Sequence, residues 1–206
     1  MEKHSDNIKI APNFTIGDWK ELRLNPKEPQ DENWNEAIKI FDARIRQRFI
    51  EPADILINNQ KDSRGKTFGF AILALDFLVM ETLQGFRDGK TTHNGESKNL
   101  IEKFLKNWDL FINTTTEDNR KEKAENIYKS YRCAIHHSGS TDNSFLIGIS
   151  GDAFDFRADG AKINRNKFHK GLKCEFNNYQ NFLRNPKDME LRKNFITKMN
   201  YICDTK

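Results

Sequence analysis

The chain has 206 residues, 36% hydrophobic and 31% charged, with 34 Lys and Arg against 30 Asp and Glu for a net charge of +4. That length fits one domain, and 16 Phe with 3 Trp supply bulk for a core, which argues against disorder over most of the chain. The near-balance of charge, with a pI near 8.9, allows a nucleic-acid partner without requiring one.

Up to about residue 30 the stretch "APNFTIGDWKELRLNPKEPQDE" carries prolines and a polar, acidic end, and it predicts an N-terminal arm that docks Phe14, Ile16 and Trp19. Helical spacing then begins with Ile38, Phe41, Ile45 and Phe49, with Asp31 or Asn35 as cap and Pro52 as a break or kink. A polar loop, "NNQKDSRGK", precedes a segment that is apolar almost all round from Phe68 to Phe86, the pattern of an enclosed helix. Gly85 and Gly89 bracket its end. Ser97 is placed to cap a helix with Ile101, Phe104, Trp108 and Phe111 on one face. A further helix carries Ala124, Ile127, Tyr128, Tyr131 and Ile135 and stops at Ser138-Gly139.

Residues 143–163 are β-rich, with Asp159-Gly160 as a turn, and predict a small β-hairpin or three-strand insertion. Helical periodicity returns with Phe168, Leu172, Phe176, Tyr179 and Leu183, and again after Asn185-Pro186 with Leu191, Phe195, Met199 and Ile202. The expectation is an all-α bundle of five to six helices with one β insertion, forming a single domain over 31–206 after an arm over 1–30.

The N-terminus "MEKHSDNIKI" has no apolar stretch, and the run from Phe68 to Met80 is interrupted by Asp76 and too short to span a bilayer. Three cysteines, Cys133, Cys174 and Cys203, lack any CxxC pair, which argues against a disulfide framework and a zinc site. A cytoplasmic protein with no membrane association is expected. The five histidines show no metal-ligand spacing, so neither metal nor other cofactor is expected.

The chemistry-bearing stretch is "YKSYRCAIHHSGS", 128–140. Cutting RNA without a metal takes a base for the ribose 2′-OH, an acid for the leaving oxygen and a cation for the charge on phosphorus. Histidine serves either proton role, and arginine offers phosphate a planar fork. On an ideal helix Arg132 and His136 share a face, whereas His137 lies about 140° round from Arg132. Geometry therefore favours His136, unless the helix is distorted or ending there. Asp76 and Glu81, inside the most apolar helix, need partners: contact with a neighbouring helix or loop is slightly favoured, with Arg132 or another cation inside the bundle as the alternative. Acid–base work by Glu81 is a lesser alternative. A basic stripe of Arg44, Arg46 and Arg48 with Lys61, Arg64 and Lys66 has the charge to track a phosphate backbone, although such runs are usually solvated faces. His169 is expected at the surface, and His4 and His93 in solvent.

"YRCAIHHSGS" resembles the motif of HEPN-type ribonucleases, an arginine followed after four to six residues by histidine near the end of a bundle helix. Together with "GFAILALDFLVMETLQGFRDG" and "INRNKFHKGLKCEFNNYQNFLRN" it is similar to bacterial HEPN-like proteins over roughly 35–203. The resemblance implies a homodimer whose motif helices face each other and form one composite, metal-free site that leaves 2′,3′-cyclic phosphate ends. It gives Arg132 the phosphate-stabilising role, His137 the proton transfer, and His136 an orienting or binding role. It also implies RNA as substrate, in bacterial defence or a toxin system, with an antitoxin or defence-system partner. Cys133 stands where many HEPN nucleases have Asn, Asp or His, and Ser138-Gly139-Ser140 occupies the place of the tyrosine in toxins silenced by adenylylation. A non-catalytic RNA-binding or dimerising module is the alternative.

Overall fold

A computed structural model describes residues 6–59 and 68–205, and over these the protein is mainly helical with two small sheets. In chain order the elements are β1 (Lys9–Ala11), β2 (Phe14–Thr15), α1 (Ile16–Glu21), α2 (Glu32–Ile45), a π-helical turn (Arg46–Ile50), α3 (Glu51–Asn58) and α4 (Gly69–Arg87). Then come α5 (Ser97–Lys106), α6 (Asp109–Ile112), α7 (Glu117–Ile127), a second π-helical turn (Tyr128–Cys133) and α8 (Ala134–Ser138). The chain finishes with β3 (Phe145–Gly148), β4 (Phe154–Phe156), β5 (Ala161–Asn164), α9 (Arg165–Arg184) and α10 (Met189–Asp204). Short helices and the π-helical interruptions, which periodicity does not report, raise the number of elements above the expected five or six.

The residues fall into two compact units, one of 1–48, 85–93 and 176–206, the other of 49–84 and 94–175. In the first unit the lead-in is folded rather than a loose arm. β1 and β2 pair antiparallel, Thr15 and Asp18 form a capping box at α1, and Ile10, Ile16 and Trp19 are buried. Asp31 caps α2 by accepting from the Trp34 amide at 2.9 Å. The unit's centre is aromatic: Phe41 packs within 4.8–5.5 Å of Phe86, Phe176, Tyr179 and Phe195.

The second unit holds the motif helix. Trp108 meets Phe104, Phe154 and Phe168 at 5.5, 5.9 and 5.2 Å, so α5, the small sheet and α9 share one aromatic cluster. The β-rich stretch forms three strands in the order β3-β5-β4, with β3 and β5 parallel and β4 and β5 antiparallel. The expected Asp159-Gly160 turn joins β4 to β5, and a Cβ at Gly160 would lie 2.0 Å from the Ser144 carbonyl oxygen, so only glycine fits there. The Tyr131 hydroxyl lies 2.9 Å from the Leu146 oxygen and 2.7 Å from the Ala161 oxygen, tying the motif helix to two neighbouring strands.

Helix α4 is long and apolar enough to cross a membrane by length and composition, yet 67% of that stretch is buried inside the protein, as in a core helix. Ile72, Leu73, Phe77, Val79, Met80 and Leu83 face inward. Each such side chain contributes about 1.5–3 kcal/mol when fully buried.

Candidate functional site

Two local features shape the motif. The chain leaves α7 through the π-helical turn Tyr128–Cys133, whose wider winding carries Arg132, and re-enters α-helix at Ala134. Gly139 then ends the helix at φ 60°, accepting the left-handed conformation that a side chain would resist. The helix is therefore both distorted and ending at the motif, as a close approach of Arg132 and His137 requires. Even so, Arg132 and His136 are the pair that line one small pocket, of about 50 Å³, with Ala74, Phe77, Leu78 and Ile135. His136 and His137 are both exposed and stand edge to face, centroids 5.3 Å apart.

Arg132 is largely enclosed. Its Nη2 donates to Glu81 Oε2 at 2.9 Å, and its guanidinium lies 5.9 Å from the Tyr128 ring centroid. Ser97 Oγ donates to the same Glu81 oxygen at 2.6 Å. Of the two carboxylates in the apolar helix it is Glu81 that meets Arg132, and it holds one edge of the guanidinium. Ser97 is not the helix cap expected of it: residue 96 takes that position, and the serine hydroxyl is turned to Glu81 instead. Nothing in the local pattern distinguishes a capping serine from one that serves a carboxylate on another helix. Burial, then the Cys133 hydrogen bond, raises the Tyr128 phenol above its ordinary pKa, so it stands as a neutral donor beside the arginine.

Asp76 takes a different partner. Its Oδ1 is 2.7 Å from Nδ1 of His169, which is 2% exposed and not at the surface. The far ring nitrogen, Nε2, lies 3.3 Å from Asp54 Oδ1, and both Asp54 oxygens accept from Lys173 Nζ at 2.7 Å. A signal for this was present: His169 falls four residues after Arg165, three before Leu172 and seven before Phe176, on the buried face of its helix, and Asp76 needed a partner.

Within the described part of the basic stripe, Arg44 and Arg46 are engaged inside the protein. Arg44 donates to the Ile10 carbonyl, and burial, then the charge of Arg48, lowers its pKa to about 10. Arg46 pairs with Asp42 at 2.9 Å, and Arg48 is half-buried. Lys61, Arg64 and Lys66 lie outside the described residues, as does His4. His93 is half-buried, not solvated, with Nε2 3.2 Å from Lys198 Nζ. Among the described residues no three His, Cys, Asp or Glu side chains gather into a metal-binding group.

Beside the Arg132 pocket, α4 presents an uncovered apolar stripe, with Phe70 and Leu78 each 41% exposed and Ala71 and Ala74 on the same side. Comparison with protein-family models, curated proteins and solved structures finds no match to this chain.

Proposed function

We propose that this chain is a metal-independent endoribonuclease that acts in the cytoplasm as a homodimer, with Arg132 as the group that stabilises charge on phosphorus. The observation that carries this reading is one pocket lined by a carboxylate-anchored arginine and a histidine, at the end of a distorted helix. The resemblance of "YRCAIHHSGS" to HEPN ribonucleases supplies the reaction class.

In that reaction the ribose 2′-oxygen bonds to its own phosphorus, a histidine takes the hydroxyl proton, and the P–O5′ bond breaks as O5′ gains a proton. The products are a 2′,3′-cyclic phosphate and a 5′-hydroxyl. Anchoring by Glu81 commits Nη2 of Arg132 and orients the rest of the fork toward the pocket, where phosphate oxygens would meet it. The pocket pairs Arg132 with His136, whereas the resemblance assigns His137 the proton transfer. A second copy seated on the Phe70–Leu78 stripe supplies the further arginine and histidine that the composite site requires. Defence or toxin action fits this chemistry, with an antitoxin or defence partner as the means of restraint.

The test is cleavage of single-stranded RNA by purified wild type, Arg132→Ala, His136→Ala and His137→Ala, each confirmed folded by circular dichroism. Arg132→Ala is expected to lose at least ~100-fold, the usual cost of removing a key charge stabiliser. Because His136 lines the pocket, His136→Ala is expected to approach that loss and His137→Ala to fall less. The reverse order would place proton transfer on His137. Wild type that binds RNA without cutting it would move the protein to the non-catalytic reading.

A further inference from the structure

The Asp54–His169–Asp76–Lys173 cluster plays no part in the Arg132 chemistry, and its geometry is demanding. Each nitrogen of the His169 ring faces a carboxylate oxygen, Asp76 Oδ1 at 2.7 Å and Asp54 Oδ1 at 3.3 Å. A neutral imidazole has one N–H and one bare lone pair, so it satisfies only one of these contacts and sets a lone pair against an anion at the other. The imidazolium satisfies both. With Asp76, Asp54, His169 and Lys173 all charged, the four groups sum to zero, the arrangement that a buried cluster tolerates.

What the cluster holds is α3. That helix buries one side chain, Ala53, while Ile55 is 57% exposed. It continues α2 through the π-helical turn, with Ile50 in right-handed helical conformation at the junction. Pro52, Leu56 and Ile57 are only half-buried, so polar ties contribute a large share of the docking of α3. Its polar tie is Asp54, which reaches His169 and Lys173 on α9, and through His169 reaches Asp76 on α4.

We propose that α3 is a protonation-sensitive latch, held by His169 and Lys173 together while His169 carries its second proton and loosened, with Lys173 alone on Asp54, when that proton leaves. The groups facing His169 are Asp54 from α3, Asp76 from α4 and Lys173 from its own helix. Burial by itself would lower the histidine pKa, but the Asp76 hydrogen bond and the charges of Asp76 and Asp54 outweigh it and raise the pKa above the ordinary 6.5. A pKa raised by folding gives stability that is present below the unfolded value and is lost as pH rises through the folded one. Burial also pushes Asp76 up, to about 6, against the pull of His169. Protonating Asp76 in acid leaves the His169–Asp54 contact in place, so the latch opens only on the alkaline side. On losing its proton, His169 keeps the shorter bond to Asp76 through Nδ1–H and presents a lone pair to Asp54.

Hydrogen exchange of the α3 amides in the full chain, corrected for intrinsic rates and followed from pH 5.5 to 9 alongside the His169 ring resonances, tests the latch. Protection in α3 should fall at least tenfold as the ring titrates, while amides in the buried centre of α4 hold theirs. His169→Gln and Asp54→Asn should each leave α3 weakly protected at every pH. Asp54→Asn changes the half-exposed end and spares the buried pair, so it reports even if His169→Gln does not fold. Protection in α3 that is independent of pH in the wild type, or unchanged in Asp54→Asn, overturns the proposal.

Discussion

Arg192 is fully buried, and its hydrogen bonds among the described residues go to backbone carbonyls and one amide oxygen. Its guanidinium lies 4.1 Å from the Trp34 ring centroid and donates to the Leu183 carbonyl at 2.8 Å, to the Glu28 carbonyl and to Gln30 Oε1 at 3.0 Å. One side chain therefore ties the 26–30 segment to the end of α9. Arg192→Ala should destabilise the protein by about 3 kcal/mol or more in urea unfolding, because it removes stacking and several hydrogen bonds. Arg192→Lys should recover less than half, since a single ammonium cannot span those acceptors. A loss under ~1 kcal/mol for the alanine variant would contradict this role. The residue scale is also where the sequence was least readable. Asp76 and Glu81 announced themselves as carboxylates in need of partners, but only the fold shows that Glu81 takes Arg132 and Asp76 takes His169. A histidine flanked by Lys167 and Lys170 reads as solvated until its helix face is known.

At the scale of elements, apolar periodicity located the long helices well, because Phe41, Phe104, Phe168 and Phe195 each mark a face that is buried. It did not show the π-helical turns at 46–50 and 128–133, which keep the same apolar order while changing the winding. Nor did it show that β3 and β5 run parallel, since pairing depends on contacts outside each strand. The motif helix rests on that sheet through the Tyr131 hydroxyl. Tyr131→Phe should cost roughly 1–3 kcal/mol, the penalty for leaving buried carbonyls unpaired, and should lower RNA cleavage along with stability. Equal stability and activity in the phenylalanine variant would show that the sheet does not position the motif. Gly139→Ala is a milder probe of the helix end: at φ 60° a side chain costs about 1 kcal/mol, and no neighbouring atom lies within 4 Å of the added carbon.

For the whole molecule, the sequence conveyed a mainly helical protein with a β excursion, and not its division into two compact units, because both units draw on segments far apart in the chain. The uncovered α4 stripe makes a prediction about assembly. Leu78→Glu places a charge in the proposed interface, and light scattering at micromolar concentration should report a dimer for the wild type and a monomer for the variant. A composite site, as proposed, requires cleavage to fall with the dimer; a monomeric wild type that still cuts RNA would separate catalysis from assembly. The central claim is the chemistry at Arg132, and the most direct measurement is end-group analysis of labelled single-stranded RNA incubated with wild type and Arg132→Ala in excess EDTA. Wild type should yield fragments with 2′,3′-cyclic phosphate and 5′-hydroxyl ends, and the variant none above background. Intact RNA with the wild type, or cleavage that appears only when magnesium is restored, would contradict it.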